Sequence, residues 1–326
     1  MKNVFAGIDI GGTTVKMALI DEEGTIFDKW EIPTDKSDSG KHILGNIAAS
    51  LLQATDRLHN VHQIIGAGVG APGYIDVDNG VIIEAVNLGW KNVAVSTELG
   101  EALGVPVFAD NDANLAAAGE KWKGAGGDAE NLLAVTLGTG VGGGIIASGE
   151  IVHGHAGLAG EIGHITVVKE GGAACNCGKN GCLETVSSAT GIARLAKEAL
   201  AGYTGDSGLN MIQTEKGSIE AKDVFSEAAK GDSLAKAVVQ DSMDHLGFTL
   251  ANLCNSLNPQ VVVIGGGVSK AGEQVLEALY EPFTRFSIPK IAKETELKIA
   301  TLGNDAGVIG AAWLAKQRLS KSEEIR

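Results

Sequence analysis

The chain has 326 residues and a formal net charge of −14 at neutral pH. This length allows two domains of ordinary size, and the acidic charge disfavours nucleic acids and anionic membranes as partners, because both attract clustered Lys and Arg. The most apolar run, residues 261–264, is far too short to cross a bilayer, and no signal-like segment is recognisable. We therefore expect a cytoplasmic protein that acts on a small substrate.

Strand-like and helix-like patterns alternate along the chain, which is typical of an α/β protein. Three strand-like runs come first, and apolar spacing then predicts a helix over residues 41–58. The next predictions are a strand over residues 64–69, a turn over residues 70–73 and a short strand over residues 105–108. Residues 113–122 again have helical spacing.

The second half of the chain repeats this alternation. Residues 233–257 form a long amphipathic pattern that predicts one helix. A buried strand over residues 261–264 leads into a glycine turn at residues 265–267 and then into a helix that includes Leu276. A final helix is predicted to follow Asp305.

Two glycine-rich turns each connect two strand-like runs. Successive backbone N–H groups in such turns form a concave set of donors for phosphate oxygens, and nearby hydroxyls add further donors. Either turn alone could be a plain hairpin connection, but two together can hold one triphosphate. The sequence therefore predicts a nucleotide-binding site. The candidate residues are Gly11, Gly12, Thr13, Thr14, Gly138, Thr139 and Gly140.

The second turn also satisfies the G-x-G-x-x-G dinucleotide pattern. Gly138, Gly140 and Gly143 match it, and Glu161 lies near the expected acidic offset. A dinucleotide fold requires these glycines to open a helix, but the residues that follow are too glycine-rich and β-branched for a first helical turn. We therefore expect a continuing strand here. No G-x-x-x-x-G-K-[ST] motif is present, which disfavours a P-loop.

Three of the four cysteines form a C-x-C-x4-C cluster. Cys175, Cys177 and Cys182 lie in a glycine-rich loop, and His164 lies shortly before them. Three thiolates and an imidazole complete a tetrahedral Zn²⁺ shell, whereas a disulfide would leave one of the three thiols unpaired. The spacing therefore predicts a structural zinc site. Cys254 lies in an apolar helical pattern and is predicted to be a core residue.

Together these motifs resemble those of the ROK sugar kinases. The resemblance covers nearly the whole chain and implies an α/β, two-lobed, actin-like ATPase fold of the ribonuclease-H-like type, with a cleft between the lobes. The matching segments, in the family's order, are residues 9–14, 137–144, 160–164, 175–184 and 261–267.

The lobes can be assigned to parts of the chain. The strand–turn–strand units near residues 4–20 and 132–146 are similar, which predicts two related halves that face each other. The expected small lobe comprises residues 1–118 plus 303–326. The expected large lobe comprises residues 119–302, with the zinc loop and an adenosine-facing turn.

Within this family, residues 86–92 and 175–178 are most similar to ATP-dependent bacterial glucokinases. The resemblance thus implies transfer of a phosphoryl group from ATP, with Mg²⁺, to the 6-hydroxyl of glucose by a homodimer. Other hexoses, including the 2-acetamido hexoses N-acetylglucosamine and N-acetylmannosamine, are alternative substrates, and polyphosphate is an alternative donor. A sugar-sensing repressor of the family would need a helix-turn-helix before the first glycine turn, and only eight residues precede Asp9.

The resemblance also implies which residues bind the sugar and catalyse the reaction. Asp112 matches the general base that accepts the proton of the 6-hydroxyl, and Asn111 matches a sugar-binding residue. The residues alone leave an equal alternative, in which Asp110, Asn111 or Asp112 caps the following helix. The sugar-binding positions implied by the resemblance are Gly73, Asn111, Asp112, Glu161, His164 and Glu184.

Two of these carboxylates lie close to zinc ligands in the sequence. Glu161 precedes His164 by three residues and Glu184 follows Cys182 by two. The metal loop would therefore fix both carboxylates for hydrogen bonds to vicinal hydroxyls. A filament-forming or chaperone ATPase would share the glycine turns but would have no use for these groups.

On the nucleotide side, the resemblance implies one acidic residue and a third glycine turn. Asp9 matches the carboxylate near Mg²⁺ and the transferred phosphate. Gly265, Gly266 and Gly267 match the turn that faces adenosine, although a tight strand-to-helix connection would explain the same glycines.

Overall fold

A computed structural model of the chain describes residues 2–57 and 62–324. Strands and helices alternate as the sequence predicted. The strands are β1 (Lys2–Ile10), β2 (Thr14–Asp21), β3 (Ile26–Pro33), β4 (His62–Ala71), β5 (Tyr74–Asp76), β6 (Val81–Ala85), β7 (Trp90–Val93), β8 (Val107–Asn111), β9 (Leu132–Leu137), β10 (Val141–Ala147), β11 (Glu150–Ile151), β12 (Val261–Gly265) and β13 (Glu296–Ile299). The helices are α1 (Ile43–Arg57), α2 (Val95–Leu103), α3 (Asp112–Lys123), α4 (Glu184–Ser187), α5 (Ala189–Ala201), α6 (Gly208–Lys216), α7 (Ala221–Ala229), α8 (Ser233–Leu257), α9 (Glu273–Phe286), α10 (Pro289–Glu294) and α11 (Ala306–Glu324).

Two five-stranded sheets share one topology. Their strand orders are β3-β2-β1-β4-β8 and β11-β10-β9-β12-β13. In each sheet the first three strands pair antiparallel, and the last two join as parallel strands. Both glycine turns connect equivalent strands, namely β1 to β2 and β9 to β10. The expected similarity of the two halves is therefore confirmed.

Helices pack on the apolar faces of the sheets. All five residues of β12 are buried, because parallel strands in the centre of a sheet are covered on both faces. Helix α11 packs directly on β1 and β4. A Cβ atom at Gly68 would overlap the carbonyl oxygen of Ala311, so this close approach of helix and strand requires glycine.

The chain passes between the halves near the buried residue Glu120. This residue of α3 accepts hydrogen bonds from the backbone N–H groups of Ala125 and Leu302, both at 2.8 Å. These partners lie on the two segments that connect one sheet with the other. Its carboxylate thus ties both connections to a single helix.

Several predicted boundaries are wrong by a few residues, and two of these differences have one cause. The turn expected over residues 70–73 begins only at Pro72, because β4 continues to Ala71. The strand expected to end at Phe108 continues to Asn111. Parallel pairing explains both differences, since the ladder between β4 and β8 extends to Gly70 opposite Asp110 and Ala71 opposite Asn111. Position 58, the expected end of the first helix, lies outside the described residues.

Several elements had no prediction from the sequence. They include the three-stranded sheet of β5, β6 and β7 and the helical region from α4 to α7. The strands of this sheet have three to five residues and α4 has four, so each contains too few repeats for a clear pattern. Helices α5 and α7 are amphipathic, but they carry no motif and were not singled out. In the part of the chain that the structure describes, no helix combines the length and the apolar character that a membrane span requires.

Candidate active site

A cavity of about 510 Å³ is lined by residues of both halves. Its volume lies in the range of small-molecule binding sites. Most of the predicted site residues lie on its wall. They are Asp9, Gly73, Asn111, Asp112, Gly138, Thr139, Gly140, Glu161, His164, Glu184 and Gly266.

The tip of the first glycine turn lies outside this wall. Thr34, just after β3, holds the tip in place: its hydroxyl donates to the Gly11 carbonyl at 2.7 Å, and its N–H donates to the Thr13 carbonyl at 2.9 Å. Gly12 and Thr14 belong to the same hairpin and also do not line the cavity. The phosphate-binding role of these four residues stays a prediction.

Asn111 and Asp112 lie at the start of α3 and make different contacts there. Asn111 caps the helix, because its side-chain oxygen accepts hydrogen bonds from the N–H groups of Ala113 at 2.9 Å and Asn114 at 3.4 Å. Its amide nitrogen donates to the Gly73 carbonyl at 3.3 Å. Asp112 is the first residue of the helix and lines the cavity. The capping alternative therefore applies to Asn111, whereas Asp112, whose Oδ1 accepts a hydrogen bond from the Ala113 N–H at 2.8 Å, lies on the cavity wall.

Burial changes the ionisation of both aspartates on the cavity wall. Burial raises the pKa of Asp112, and hydrogen bonding from the Ala113 N–H opposes this effect. Burial also raises the pKa of Asp9 to about 6, with a smaller contribution from the negative charge of Asp112. A cation close to both carboxylates would stabilise their charged forms.

The cation nearest to Asp9 is Lys16, which the sequence analysis did not single out. Its Nζ lies 3.9 Å from Asp9 Oδ2, and this charge lowers the pKa of Asp9 against the effect of burial. Lys16 is the single Lys or Arg among the described residues that line the cavity. The proximity of Lys16 to Asp9 follows from the hairpin register, in which β1 and β2 pair the two residues directly.

The predicted zinc ligands lie together. The ligand atoms of His164, Cys175, Cys177 and Cys182 are all within 4.8 Å of one another. The Sγ atoms of Cys177 and Cys182 are 3.6 Å apart, and Cys175 Sγ lies 3.6 Å from His164 Nδ1. Zinc–sulfur bonds of about 2.3 Å in a tetrahedral shell separate sulfur atoms by about 3.8 Å. The cluster therefore fits Zn²⁺, and its thiols are free rather than disulfide-bonded.

Metal binding at this cluster must displace protons. Burial raises the pKa of the Cys182 thiol to about 12, and the neighbouring thiols add to the shift. Zinc binds thiolates, so its affinity for such a cluster falls as the pH falls.

Two carboxylates connect the zinc cluster to the cavity. Glu161 Oε2 lies 3.7 Å from His164 Nε2, and Glu184 Oε1 lies 3.7 Å from Cys175 Sγ. Glu184 also reaches the second glycine turn, because its Oε2 accepts a hydrogen bond from the Val141 N–H at 3.0 Å. This last contact was not predicted, and it links the metal loop to the second glycine turn.

A second cavity of about 650 Å³ lies beside the third glycine turn. Gly266 lines the first cavity and Gly267 lines the second, so this turn joins the two, while Gly265 is buried at the end of β12. The second cavity was not predicted, since its walls come from α5, from α7 and from residues after the turn, and these segments carry no motif. Its apolar lining includes Ala193, Ile219, Phe225, Val268 and Ala271.

Comparison with known proteins gives the family. A model of the ROK family matches residues 5–318 of the chain. The chain belongs to the ROK family. It is 53% identical over 321 residues to a glucokinase of Halalkalibacterium halodurans, with 98% of this chain and 97% of that protein covered.

Solved ROK structures have the same fold. A ROK family glucokinase of Streptomyces griseus, in complex with glucose and AMPPNP, has a TM-score of 0.78 and 34% identity over 96% of this chain and 99% of its own. A ROK hexokinase of Thermus thermophilus has a TM-score of 0.81 and 32% identity over 98% of this chain and 99% of its own. The expected two-lobed, actin-like ATPase fold is thus confirmed.

Proposed function

We propose that this ROK protein is an ATP-dependent glucokinase that forms glucose 6-phosphate and ADP. The observation that carries the proposal is the position of Asp112. Its carboxylate lines one cavity together with a glycine turn suited to phosphate and with Glu161, His164 and Glu184, which are suited to sugar hydroxyls. The names of the relatives described above support glucose as the acceptor and ATP as the donor.

The sugar would bind on the side of the cavity formed by the zinc loop. Carboxylate oxygens of Glu161 and Glu184 accept hydrogen bonds from vicinal hydroxyls, and the Asn111 amide beside Gly73 adds a polar group. Bound zinc supplies rigidity to this loop and no chemistry, because a shell of four protein ligands leaves no open position.

The nucleotide would span the two cavities. Backbone N–H groups of the turn at residues 138–140 suit the phosphates, and the apolar second cavity suits a purine base. Lys16 supplies positive charge near the transferred phosphate. Asp9 is the residue placed to hold Mg²⁺, which neutralises phosphate charge when bound.

The transfer itself needs one base and good alignment. Asp112 accepts the proton of the 6-hydroxyl as that oxygen forms a bond to the γ-phosphorus. The bond between this phosphorus and the oxygen that bridges to the β-phosphate breaks, and ADP leaves. Because the transition state is loose, positioning and charge neutralisation contribute most of the rate.

Three further expectations belong to this proposal. The two halves would act as lobes, residues 1–118 plus 303–326 and residues 119–302, that close on the substrates. The cytoplasm supplies ATP and keeps the zinc-binding thiols reduced. The homodimer implied by the family resemblance is tested by the mass that light scattering gives in solution.

The proposal is tested by measuring ADP release by the purified protein over a panel of hexoses. We expect the highest kcat/KM with glucose, and NMR of the product should show phosphate on the 6-oxygen. Higher kcat/KM with N-acetylglucosamine or N-acetylmannosamine would assign the protein to the alternative substrate class. ATP turnover that does not depend on any sugar would contradict the proposal altogether.

A further inference from the structure

A buried contact between Asp110 and His153 joins the two walls of the active-site cavity. Asp110 Oδ2 lies 2.6 Å from His153 Nε2, and the Asp110 side chain is only 1% exposed. Neither residue lines the cavity, and the proposed chemistry uses neither. A carboxylate is costly to bury unless hydrogen bonds compensate it, so this one calls for an explanation.

On one side, Asp110 fixes the junction between β8 and α3. Its Oδ1 accepts hydrogen bonds from the Asn111 N–H at 2.7 Å and from the Asn114 side-chain amide at 3.0 Å. Asp112 lies two residues further on. These bonds therefore hold the backbone that carries the proposed base and its neighbouring sugar-binding amide.

On the other side, His153 fixes the loop that carries Glu161. The His153 carbonyl accepts a hydrogen bond from the Ala159 N–H at 3.0 Å, which closes the loop on itself. Gly160, the residue before Glu161, packs on the backbone of β10, where a Cβ would lie only 2.7 Å from the Gly143 oxygen. His153 and Glu161 thus belong to one closed loop that packs on β10.

We infer that Asp110 and His153 are positioning residues that set the spacing between Asp112 and Glu161. The inference rests on the proposed function, in which one residue takes the proton of the sugar and the other holds its ring. The contact crosses from the first half to the second, so it aligns two groups that no shared element holds together. A short hydrogen bond with a carboxylate acceptor is stronger and more directional than a neutral one, which suits this role.

The test compares variants of His153 in steady-state kinetics. We expect His153→Ala to lower kcat/KM for glucose by about tenfold, the effect of leaving a buried hydrogen-bonding group unpaired. The KM for ATP should change by less than about twofold, because the second glycine turn does not depend on this contact. His153→Gln should recover most of the activity, since its amide nitrogen can replace Nε2 as a donor.

The control is His155→Ala. His155 is exposed in the same loop, and we expect wild-type kinetics from this variant. Asp110→Asn, which preserves the size of the side chain, tests the same contact from the other residue. Asp110→Asn combined with His153→Ala should be no worse for glucose than the more impaired single variant, because both changes remove one interaction.

Three results would overturn the inference. The first is a His153→Ala protein with a lower melting temperature but unchanged kcat and KM for glucose, which would make the contact purely structural. The second is equal impairment of His153→Ala and His153→Gln, and the third is additive losses in the double variant. Absence of glucose phosphorylation by the wild type would instead overturn the proposed function, and the same variants would then be compared on the preferred hexose.

Discussion

Asn111 and Asp112 show what side-chain identity alone leaves undecided. Both residue types cap helices, and both bind polar ligands, so a polar segment before a helix allows either role. In the structure Asn111 is the N-cap, because its oxygen accepts the N–H groups of Ala113 and Asn114, whereas Asp112 accepts only the Ala113 N–H and lies on the cavity wall. Lys16 was missed for a related reason: it is one charged residue in a strand until the hairpin register places it opposite Asp9.

The buried charge of Asp9 is predicted to lower the free energy of unfolding, although the proposed function requires that charge. Its pKa is raised from 3.8 to about 6, so between about pH 4 and pH 6 the folded protein holds a proton that the unfolded chain has lost. The stability contributed by this residue therefore falls as the pH rises through that window, and the cost is complete above it. Asp9→Asn removes an ionisable group, so it should raise the free energy of unfolding at pH 7.5 by about 1–3 kcal/mol and abolish activity.

Urea unfolding at several pH values checks this prediction. The gain from Asp9→Asn should vanish below about pH 4, where the wild-type carboxyl is protonated in both states. Asp78→Asn, a change at an exposed carboxylate, is the control and should leave stability nearly unchanged. A gain that persists at low pH, or a loss at pH 7.5, would contradict the assignment of a desolvated charge to Asp9.

Among the secondary-structure elements, the zinc loop shows a partial prediction. Its metal ligands could be predicted from the sequence, but its contact with the second glycine turn could not. The C-x-C-x4-C spacing identified His164 and the three cysteines correctly as one cluster. The hydrogen bond from Val141 to Glu184 depends on how α4 packs against β10, which no local pattern encodes. The metal loop therefore supports the second glycine turn as well as the proposed sugar side.

Loss of zinc should weaken sugar binding more than it weakens nucleotide binding. We expect Cys177→Ala to lose the metal and to raise the KM for glucose by at least about tenfold, since a residue next to a metal ligand loses its support. Cys254→Ala is the matched control, because Cys254 is buried in α8 away from the cluster. Metal content by mass spectrometry and glucose titration check the prediction, and unchanged glucose affinity in a verified zinc-free variant would defeat it.

The length of an element decided how well its bounds could be predicted. Helix α8 was predicted with the bounds that it has, because 25 residues of apolar periodicity leave little ambiguity. The second cavity was not predicted, although Gly267 was, because Phe225 and Val268 meet only after α7 packs beside the third glycine turn. Local patterns predict elements, whereas a cavity between distant segments depends on their packing.

At the scale of the whole molecule, the repeated sheet topology provides two lobes with a cavity between them. The halves are connected near Glu120, and the tip of the first glycine turn lies outside the cavity wall. Closure of the lobes would bring this turn towards the phosphates, exclude water and limit wasteful ATP hydrolysis. Local sequence around Gly12 and Thr13 could not predict their distance from the cavity, because that distance depends on how distant segments pack.

Glucose should therefore make the protein more compact. We expect the radius of gyration from small-angle X-ray scattering to fall when glucose is added, because sugar that bridges both walls favours the closed arrangement. Glu161→Ala, which removes a proposed sugar contact, is the control and should show the change only at much higher glucose. An unchanged radius in saturating glucose would contradict closure driven by the sugar.

The proposed reaction depends on the Asp112 carboxylate, which takes the proton of the attacking hydroxyl. The most direct measurement is the rate of glucose 6-phosphate formation by Asp112→Asn at saturating glucose and ATP, with glucose affinity measured separately by calorimetry. We expect kcat to fall by about 10²- to 10⁴-fold, the usual contribution of a general base, with glucose still bound. A kcat within about tenfold of the wild type would contradict it.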